Sequence, residues 1–92
     1  MIESFRHKGL RRFFVDGGKR GLNADHLEKI GLILLALHSA SEIEAMSLPS
    51  FRLHPLKGGL QGFWSVTVKA NWRITFRFEG GSAFDVDLID YH

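Results

Sequence analysis

Residues 64–88, WSVTVKANWRITFRFEGGSAFDVDL, contain the pattern that decides the fold. In two runs, Trp64 to Lys69 and Trp72 to Phe78, apolar residues occupy every second position and polar residues lie between them. This alternation is typical of strands with one buried and one exposed face. The dipeptide Ala70-Asn71 between the runs is short enough to be a tight turn. The two runs therefore predict a pair of antiparallel strands.

A third strand is predicted after the turn from Glu79 to Ser82. Phe84, Val86 and Leu88 alternate with acidic residues, so we expect these three side chains to share the buried face. The complete stretch then forms an antiparallel meander. Its polar face, which carries Arg73 and Arg77, is left open to solvent or to a ligand.

The sequence before the strands predicts two helices. Lys8 to Val15 places apolar residues on one side, and Gly17 is suited to the left-handed conformation that follows a helix end. Asn23 is a good N-cap for the second helix, because its side chain accepts a hydrogen bond from an unpaired backbone N–H. Three- and four-residue spacing marks the buried stripe of this second helix, which consists of Leu27, Ile30, Leu34 and Leu37.

The remaining segments are predicted as short elements. Ser41 and Glu44 form a capping box for one helical turn, and Phe51 to Leu53 is a short strand. His54 to Gln61 contains a proline and paired glycines, which favour a loop, and Ile2 to Arg6 adds an N-terminal strand. Three histidines are expected on helix surfaces, namely His7, His26 and His38.

Helices followed by a meander predict an α+β fold, with two N-terminal helices packed on the apolar face of a small, mostly antiparallel sheet. A chain of 92 residues has room for one hydrophobic core, so residues 1–92 are predicted to form one domain. The absence of cysteine fits a reducing compartment. The N-terminus lacks the apolar core of a signal peptide, and Gly31 to Leu37 is too short to span a bilayer, so we expect no membrane association and a cytoplasmic location.

Positive charge is concentrated in two segments, although the net charge is only +2. Residues 1–20 contain six Lys/Arg and two acids, and residues 51–78 contain five Lys/Arg and no acid. Such segregation predicts a basic face that meets phosphates. The alternative is a mixed solvated surface in which Arg77 pairs with Asp85 or Asp87 on a neighbouring strand.

The motifs disfavour several kinds of site. Lys57-Gly58-Gly59 lacks the spacing of a loop that holds nucleotide phosphates. His54 and His92 have no third ligand at metal-site spacing, so neither a metal nor another cofactor is predicted. The sequence also lacks the motif that presents a serine nucleophile in hydrolases.

The remaining polar residues suit cleavage of a phosphodiester bond in RNA. RNA carries its own nucleophile, the 2′-hydroxyl, so the reaction needs a base, an acid and cations near the phosphate. Histidine suits both proton-transfer roles, and lysine and arginine suit the third role. The chain offers His54 and Lys57 in one segment, Arg73 after the Asn71 turn, and a terminal Asp90-Tyr91-His92.

Each of these residues also has a purely structural interpretation. His54 precedes Pro55 and fits an inert loop position, and Lys57 beside two glycines fits a solvated turn. The tail of Tyr91 and His92 fits a frayed chain end. The residues alone leave both interpretations open.

The sequence resembles the HigB family, the "host inhibition of growth" toxins of the RelE-like ribonuclease superfamily. The resemblance rests on matching stretches that occur in family order along nearly the whole chain. The most specific are His-Pro-Leu-Lys-Gly, Asn-Trp-Arg and the terminal Asp-Tyr-His, and the complete set is residues 4–10, 52–58, 64–68, 70–76 and 90–92.

This resemblance implies a function and a set of partners. Family members are metal-independent endoribonucleases that cut translated mRNA in the ribosomal A site and favour adenosine-rich codons. A HigA antitoxin, which is a helix-turn-helix protein, neutralises the toxin, and the complex represses its own operon. The chain would then contact operator DNA only through the antitoxin. The implied fold is the compact RelE-like one.

The resemblance also implies a set of site residues. The catalytic positions are His54, Lys57, Asp90, Tyr91 and His92. Arg73 is expected to line the same concave face, and Asn71 is predicted to contact RNA. Apart from the resemblance, the basic residues Lys8, Arg11 and Arg12 on the first helix are expected to contact ribosomal RNA phosphates, where the alternative is a solvated helix face. Asp90 or His92 would take the 2′-hydroxyl proton, and His54 would protonate the leaving oxygen, alone or with His92. Lys57 and Arg73 would stabilise the phosphate. Tyr91 would stack on or orient a base.

Two other functions remain open at this stage. The ParE branch has a similar fold and poisons DNA gyrase, but it would not require His54, Lys57 and His92 together. A noncatalytic RNA- or protein-binding module is the other alternative. Leu88 and Ile89 cannot both face the core of a regular strand, so one of them is expected to touch the antitoxin or to shape the pocket.

Overall fold

A computed structural model describes residues 1–91 of the chain, and His92 lies outside the described residues. Helix α1 spans Lys8–Asp16 and helix α2 spans Leu27–Ser39. Four strands follow, and they form one antiparallel sheet in the order β1-β2-β3-β4. The strands are β1 His54–Pro55, β2 Phe63–Lys69, β3 Trp72–Glu79 and β4 Ser82–Asp90. The predicted α+β class and antiparallel meander are confirmed.

Local side-chain chemistry sets the ends of the helices. The His7 side chain caps α1 by accepting a hydrogen bond from the Leu10 backbone N–H at 3.1 Å. Gly17 ends α1 in the left-handed conformation with φ 78°, as predicted. Asn23 caps a short 3-10 turn, Ala24–His26, which leads directly into α2.

The N-terminal segment runs beside β4 rather than forming a full strand. Ile2 and Phe5 make parallel bridges to Ala83 and Val86, respectively. Backbone hydrogen bonds such as that from Glu3 N–H to the Ala83 carbonyl, 2.7 Å, support them. The predicted strand over residues 2–6 is therefore reduced to two isolated bridges.

A β-bulge in β4 overturns the prediction for Phe84. Thr75 pairs with Asp87 but Arg77 pairs with Phe84, so two residues of β4 face one residue of β3. Asp85 lies at this bulge with φ 55°. The extra residue moves Phe84 to the open face, where the Arg77 guanidinium lies 4.4 Å from its ring centroid. Ala83 takes the buried position instead.

The segment between α2 and β2 also differs from the predictions. Residues 43–46 form a 3-10 helix without a side-chain cap, so the capping box of Ser41 and Glu44 is absent. Pro49–Phe51 is a second 3-10 helix and not the start of a strand. The short β1 lies within the predicted loop because His54 pairs with Ser65 of β2.

The histidines predicted on helix surfaces are partly or fully covered. His26 is buried beside Trp72, with ring centroids 6.0 Å apart. The His38 ring lies 5.1 Å from that of Phe14, and its Nδ1 accepts a hydrogen bond from the Ile2 N–H. Helix periodicity alone could not locate the sheet and N-terminal segment that cover them.

Both helices contribute to one hydrophobic core with a single face of the sheet. The fully buried side chains include Leu10 of α1, Leu34 of α2 and Phe76 of β3. No buried side-chain nitrogen or oxygen in residues 1–91 lacks a hydrogen-bond partner. In that same range, no helix has the length and apolar character needed to cross a membrane. The opposite face of the sheet carries the polar residues.

Candidate active site

The register of the strands places polar residues in rows across the open face of the sheet. His54, Ser65, Thr75 and Asp87 occupy one row from β1 to β4. Residues directly opposite one another in an antiparallel pair point to the same face, so His54 shares its face with Ser65. An adjacent row contains Thr67, Arg73 and Ile89.

A cleft of about 600 Å³ lies over these rows, and of their members only Asp87 does not line it. Arg52, Lys57 and Arg73 supply three cations to its wall, and His54 and Tyr91 lie among them. Among the described residues that line the cleft, none is acidic. The full lining consists of Arg52, His54, Pro55, Leu56, Lys57, Leu60, Ser65, Thr67, Arg73, Thr75, Ile89 and Tyr91. This charge distribution suits a polyanionic ligand.

His54 and Lys57 reach the cleft from the edge of the sheet. Pairing of His54 with Ser65 fixes the start of the segment, and the Leu56 N–H donates to the Phe63 carbonyl at 2.9 Å. Both side chains are exposed and form no hydrogen bond or ion pair within residues 1–91. They are therefore available to a ligand.

Tyr91 and Arg73 are held together at the other side of the cleft. The Tyr91 N–H donates to the Asn71 carbonyl at 2.7 Å, which ties the end of the chain to the β2–β3 turn. The Arg73 guanidinium donates to the Ala70 carbonyl and lies 5.8 Å from the centroid of the Tyr91 ring. Asn71 thus positions Tyr91 through its backbone.

The other predicted catalytic residues are placed differently. Asp90 pairs with Trp72, is exposed, and is not among the residues that line the cleft. This register position lies on the helix-covered side of the sheet, since Trp72 packs against the core. The predicted role of His92 falls outside the described residues.

The register also separates the two apolar residues at the end of β4. Leu88 packs against the core, whereas Ile89 pairs with Arg73 and lines the cleft. Of the two, Ile89 is therefore the one that lines the cleft. It adds an apolar side chain to the cleft, as do Leu56 and Leu60.

The predicted basic residues on α1 lie away from the cleft. Lys8 and Arg11 are exposed, and Arg12 donates to the Arg20 carbonyl at 3.0 Å. Because the helices pack on the apolar face of the sheet, these residues form a separate surface. The structure does not bring them together with His54 or Arg73.

Comparison with known proteins gives this arrangement its context. Residues 3–92 match the HigB-like toxin family, described as the RelE-like toxin HigB of a type II toxin–antitoxin system. The chain belongs to this family. It is 46% identical to the protein named endoribonuclease HigB of Proteus vulgaris, over 92 residues and the full length of both chains. The resemblance inferred from the sequence motifs is confirmed, and the type II family implies an antitoxin partner.

Solved structures show the same fold. A variant of YafQ from E. coli superposes on this HigB-like toxin with a TM-score of 0.53 at 17% identity, covering 95% of this chain and 87% of the other. YafQ from E. coli strain BL21(DE3) gives a TM-score of 0.53 at 16% identity with the same coverage. The identities are low, so these likenesses support the fold alone.

The sequence patterns missed several residues of the cleft in this HigB-like toxin. Arg52 was not predicted as a site residue, although a cation two positions before His54 was a usable signal. Thr67 and Thr75 lie on the polar face of the meander, so their position followed from the alternation. Leu56 and Leu60 line the cleft because of the conformation of the loop that carries them, and no local sequence pattern predicts that conformation.

The described residues offer no arrangement suited to a metal ion. Within positions 1–91, no group of three or more His, Asp or Glu side chains lies close enough to share a cation. The cleft is lined by nitrogen cations and hydroxyls rather than by carboxylates. Cationic side chains of this kind bind phosphate groups, and an imidazole is a side chain that can transfer a proton near neutral pH.

Proposed function

We propose that this HigB-like toxin is an endoribonuclease that cuts mRNA in the A site of the translating ribosome. The observation that carries the proposal is the cleft itself, which is lined by His54, Lys57, Arg73 and Tyr91. The described residues that line it include no aspartate or glutamate. The name of the Proteus vulgaris relative, an endoribonuclease, supports the same reaction.

Cleavage begins with attack of the RNA 2′-hydroxyl on the adjacent phosphorus. His92 takes the 2′-hydroxyl proton. Asp90, the other residue predicted for this step, is not assigned it, because its register position lies on the helix-covered side of the sheet. The bond from phosphorus to the 5′-oxygen breaks, and His54 gives that oxygen a proton, alone or with His92. The products are a 2′,3′-cyclic phosphate and a 5′-hydroxyl end. No metal or other cofactor takes part.

Cations and an aromatic ring position the RNA for this reaction. Lys57 and Arg73 neutralise the charge that develops on the phosphate oxygens. Arg73 is already held by the Ala70 carbonyl, so it loses little freedom when the RNA binds. Tyr91, with its exposed ring, stacks on an unstacked base, and the Asn71 side chain contacts the RNA at the same end of the cleft.

Membership of a type II toxin–antitoxin family supports the following proposal for the partners. The antitoxin is a HigA-like helix-turn-helix protein, and operator DNA is contacted only through the toxin–antitoxin complex. The mRNA and the ribosome place the action of the toxin in the cytoplasm. The basic surface of α1 contacts ribosomal RNA phosphates.

The α1 surface gives a separate prediction for ribosome binding. Replacing Lys8, Arg11 and Arg12 together with glutamine is expected to weaken binding. The fall of log affinity with log salt should also become less steep by about 2 to 3, because each lost phosphate contact takes roughly 0.7–0.9 from the size of that slope. The control exchanges lysine for arginine and arginine for lysine at the same positions, which keeps the charge. Equal affinities for the glutamine variant and the wild type at two salt concentrations would exclude docking through this surface.

The proposed reaction is tested most simply by its products. RNA is incubated with the toxin and ribosomes at a chelator concentration that the ribosomes tolerate, and the new ends are analysed. We expect 2′,3′-cyclic phosphate and 5′-hydroxyl ends. A 5′-phosphate end would contradict attack by the 2′-hydroxyl.

A further inference from the structure

Arg52 occupies a backbone conformation that arginine rarely adopts. It follows the 3-10 helix Pro49–Phe51 with φ 51° and ψ 54°, which is the left-handed region. Glycine or asparagine is the usual residue there, because a bulkier side chain crowds the backbone. Arg52 therefore carries a conformational cost that glycine would avoid.

The surrounding structure imposes this conformation from both sides. Before the turn, Phe51 is buried, and the Lys29 ammonium lies 5.8 Å from its ring centroid while donating to the Ser50 carbonyl at 2.9 Å. After the turn, His54 and Pro55 are paired with β2. Arg52 joins these two fixed points, and it does so in the left-handed conformation.

The Arg52 side chain has no role in holding the fold. It is exposed and forms no hydrogen bond, ion pair or ring contact with any other residue in the range 1–91. It nevertheless lines the cleft, on the side of β1, while Arg73 lines it from β3. The Arg52 backbone is strained, yet its side chain makes no contact that stabilises the fold. At a position two residues before His54, this combination points to a ligand contact.

We propose that Arg52 binds an RNA phosphate next to the one that is cleaved. This inference rests on the proposed function and adds a positioning residue to it. Strands β1 and β3 are two strand spacings apart, about 10 Å, so Arg52 and Arg73 approach the RNA from different sides of the cleft. With Lys57 and Arg73 at the reacting phosphate, Arg52 holds the neighbouring one and fixes the direction of the strand.

The test measures binding of a fluorescent 2′-O-methyl RNA oligonucleotide, which cannot be cleaved by its own 2′-oxygen, to the free protein. Arg52→Gly and Arg52→Gln are expected to weaken binding on the order of tenfold and to reduce the salt slope by about 0.7, the value for one contact to single-stranded nucleic acid. Arg52→Lys keeps the charge and should keep the slope. Arg52→Gly relieves the backbone, so its Tm should equal or exceed that of the wild type.

Two results would overturn the role of Arg52. One is wild-type affinity and slope in both Arg52→Gly and Arg52→Gln. The other is a loss of affinity with an unchanged salt slope, because a phosphate contact must release counterions. The cleavage reaction is measured separately. For Arg52→Gly and Arg52→Gln we expect a higher KM and a kcat within about threefold of the wild type, because Arg52 is not a proton-transfer group. A protein that bound the probe but cut no mRNA would contradict only the proposed function.

Discussion

Replacing His54 with glutamine is expected to slow single-turnover RNA cleavage by about 10²–10⁴-fold, the usual loss for a proton-transfer group. Glutamine is similar in size and can still donate a hydrogen bond, but it cannot pass a proton to the leaving oxygen. The His54 side chain is exposed and forms no hydrogen bond or ion pair within residues 1–91, so the free energy of unfolding should change by less than about 0.5 kcal/mol. The measurement pairs a cleavage rate with a denaturant unfolding curve.

His38→Gln is the matched control for this experiment. His38 lies on α2, beside Phe14 and the N-terminal segment and away from the cleft, so its replacement should leave the cleavage rate unchanged. A His54→Gln rate within about threefold of the wild type would show that His54 is neither acid nor base. Applying the same exchange and the same threshold to His92 separates the two proposed proton-transfer histidines.

Truncating Phe76 to alanine is expected to cost about 3–5 kcal/mol of unfolding free energy, the range for a large aromatic residue in a core. Phe76 is fully buried on β3, and its ring centroid is 6.5 Å from that of Phe78. Neighbouring side chains can collapse only partly into the space that the ring leaves. Urea unfolding at equilibrium measures the loss.

Phe84→Ala provides a comparison on the adjacent strand. The bulge at Asp85 turns Phe84 to the open face, where the Arg77 guanidinium lies 4.4 Å from its ring centroid. We expect a loss of about 1 kcal/mol, most of it from that cation–π contact. Equal losses for Phe76→Ala and Phe84→Ala would mean that Phe84 lies in the core, as simple alternation predicts, and that the bulge is wrong.

The strand register shows why alternation predicted most of the sheet and failed at one point. Trp72, Ile74, Phe76 and Phe78 follow a strict period of two, so their face was determined by sequence. Phe84 continues the same period, but Asp85 adopts a positive φ and adds one residue to β4. Aspartate tolerates a positive φ better than most residues, but its place in an alternating run gave no reason to expect a bulge there.

The site was predictable to the extent that it lies on the open face. The predicted residues His54, Lys57, Arg73 and Tyr91 do line one cleft, because β1 pairs with β2 and the Asn71 turn holds the chain end. Their catalytic and binding roles remain predictions. Arg52 was missed because its approach to the cleft depends on a left-handed conformation between the buried Phe51 and β1, which the local sequence does not indicate.

The most direct test of the account is to map cuts in a defined mRNA, with and without programmed ribosomes, by primer extension. We predict cuts within the A-site codon that require the ribosome and that disappear in the His54→Gln variant. A folded wild-type protein that makes no cut under either condition would contradict the proposal. Inhibition of DNA gyrase by that same protein would then favour a ParE-like activity on the same fold.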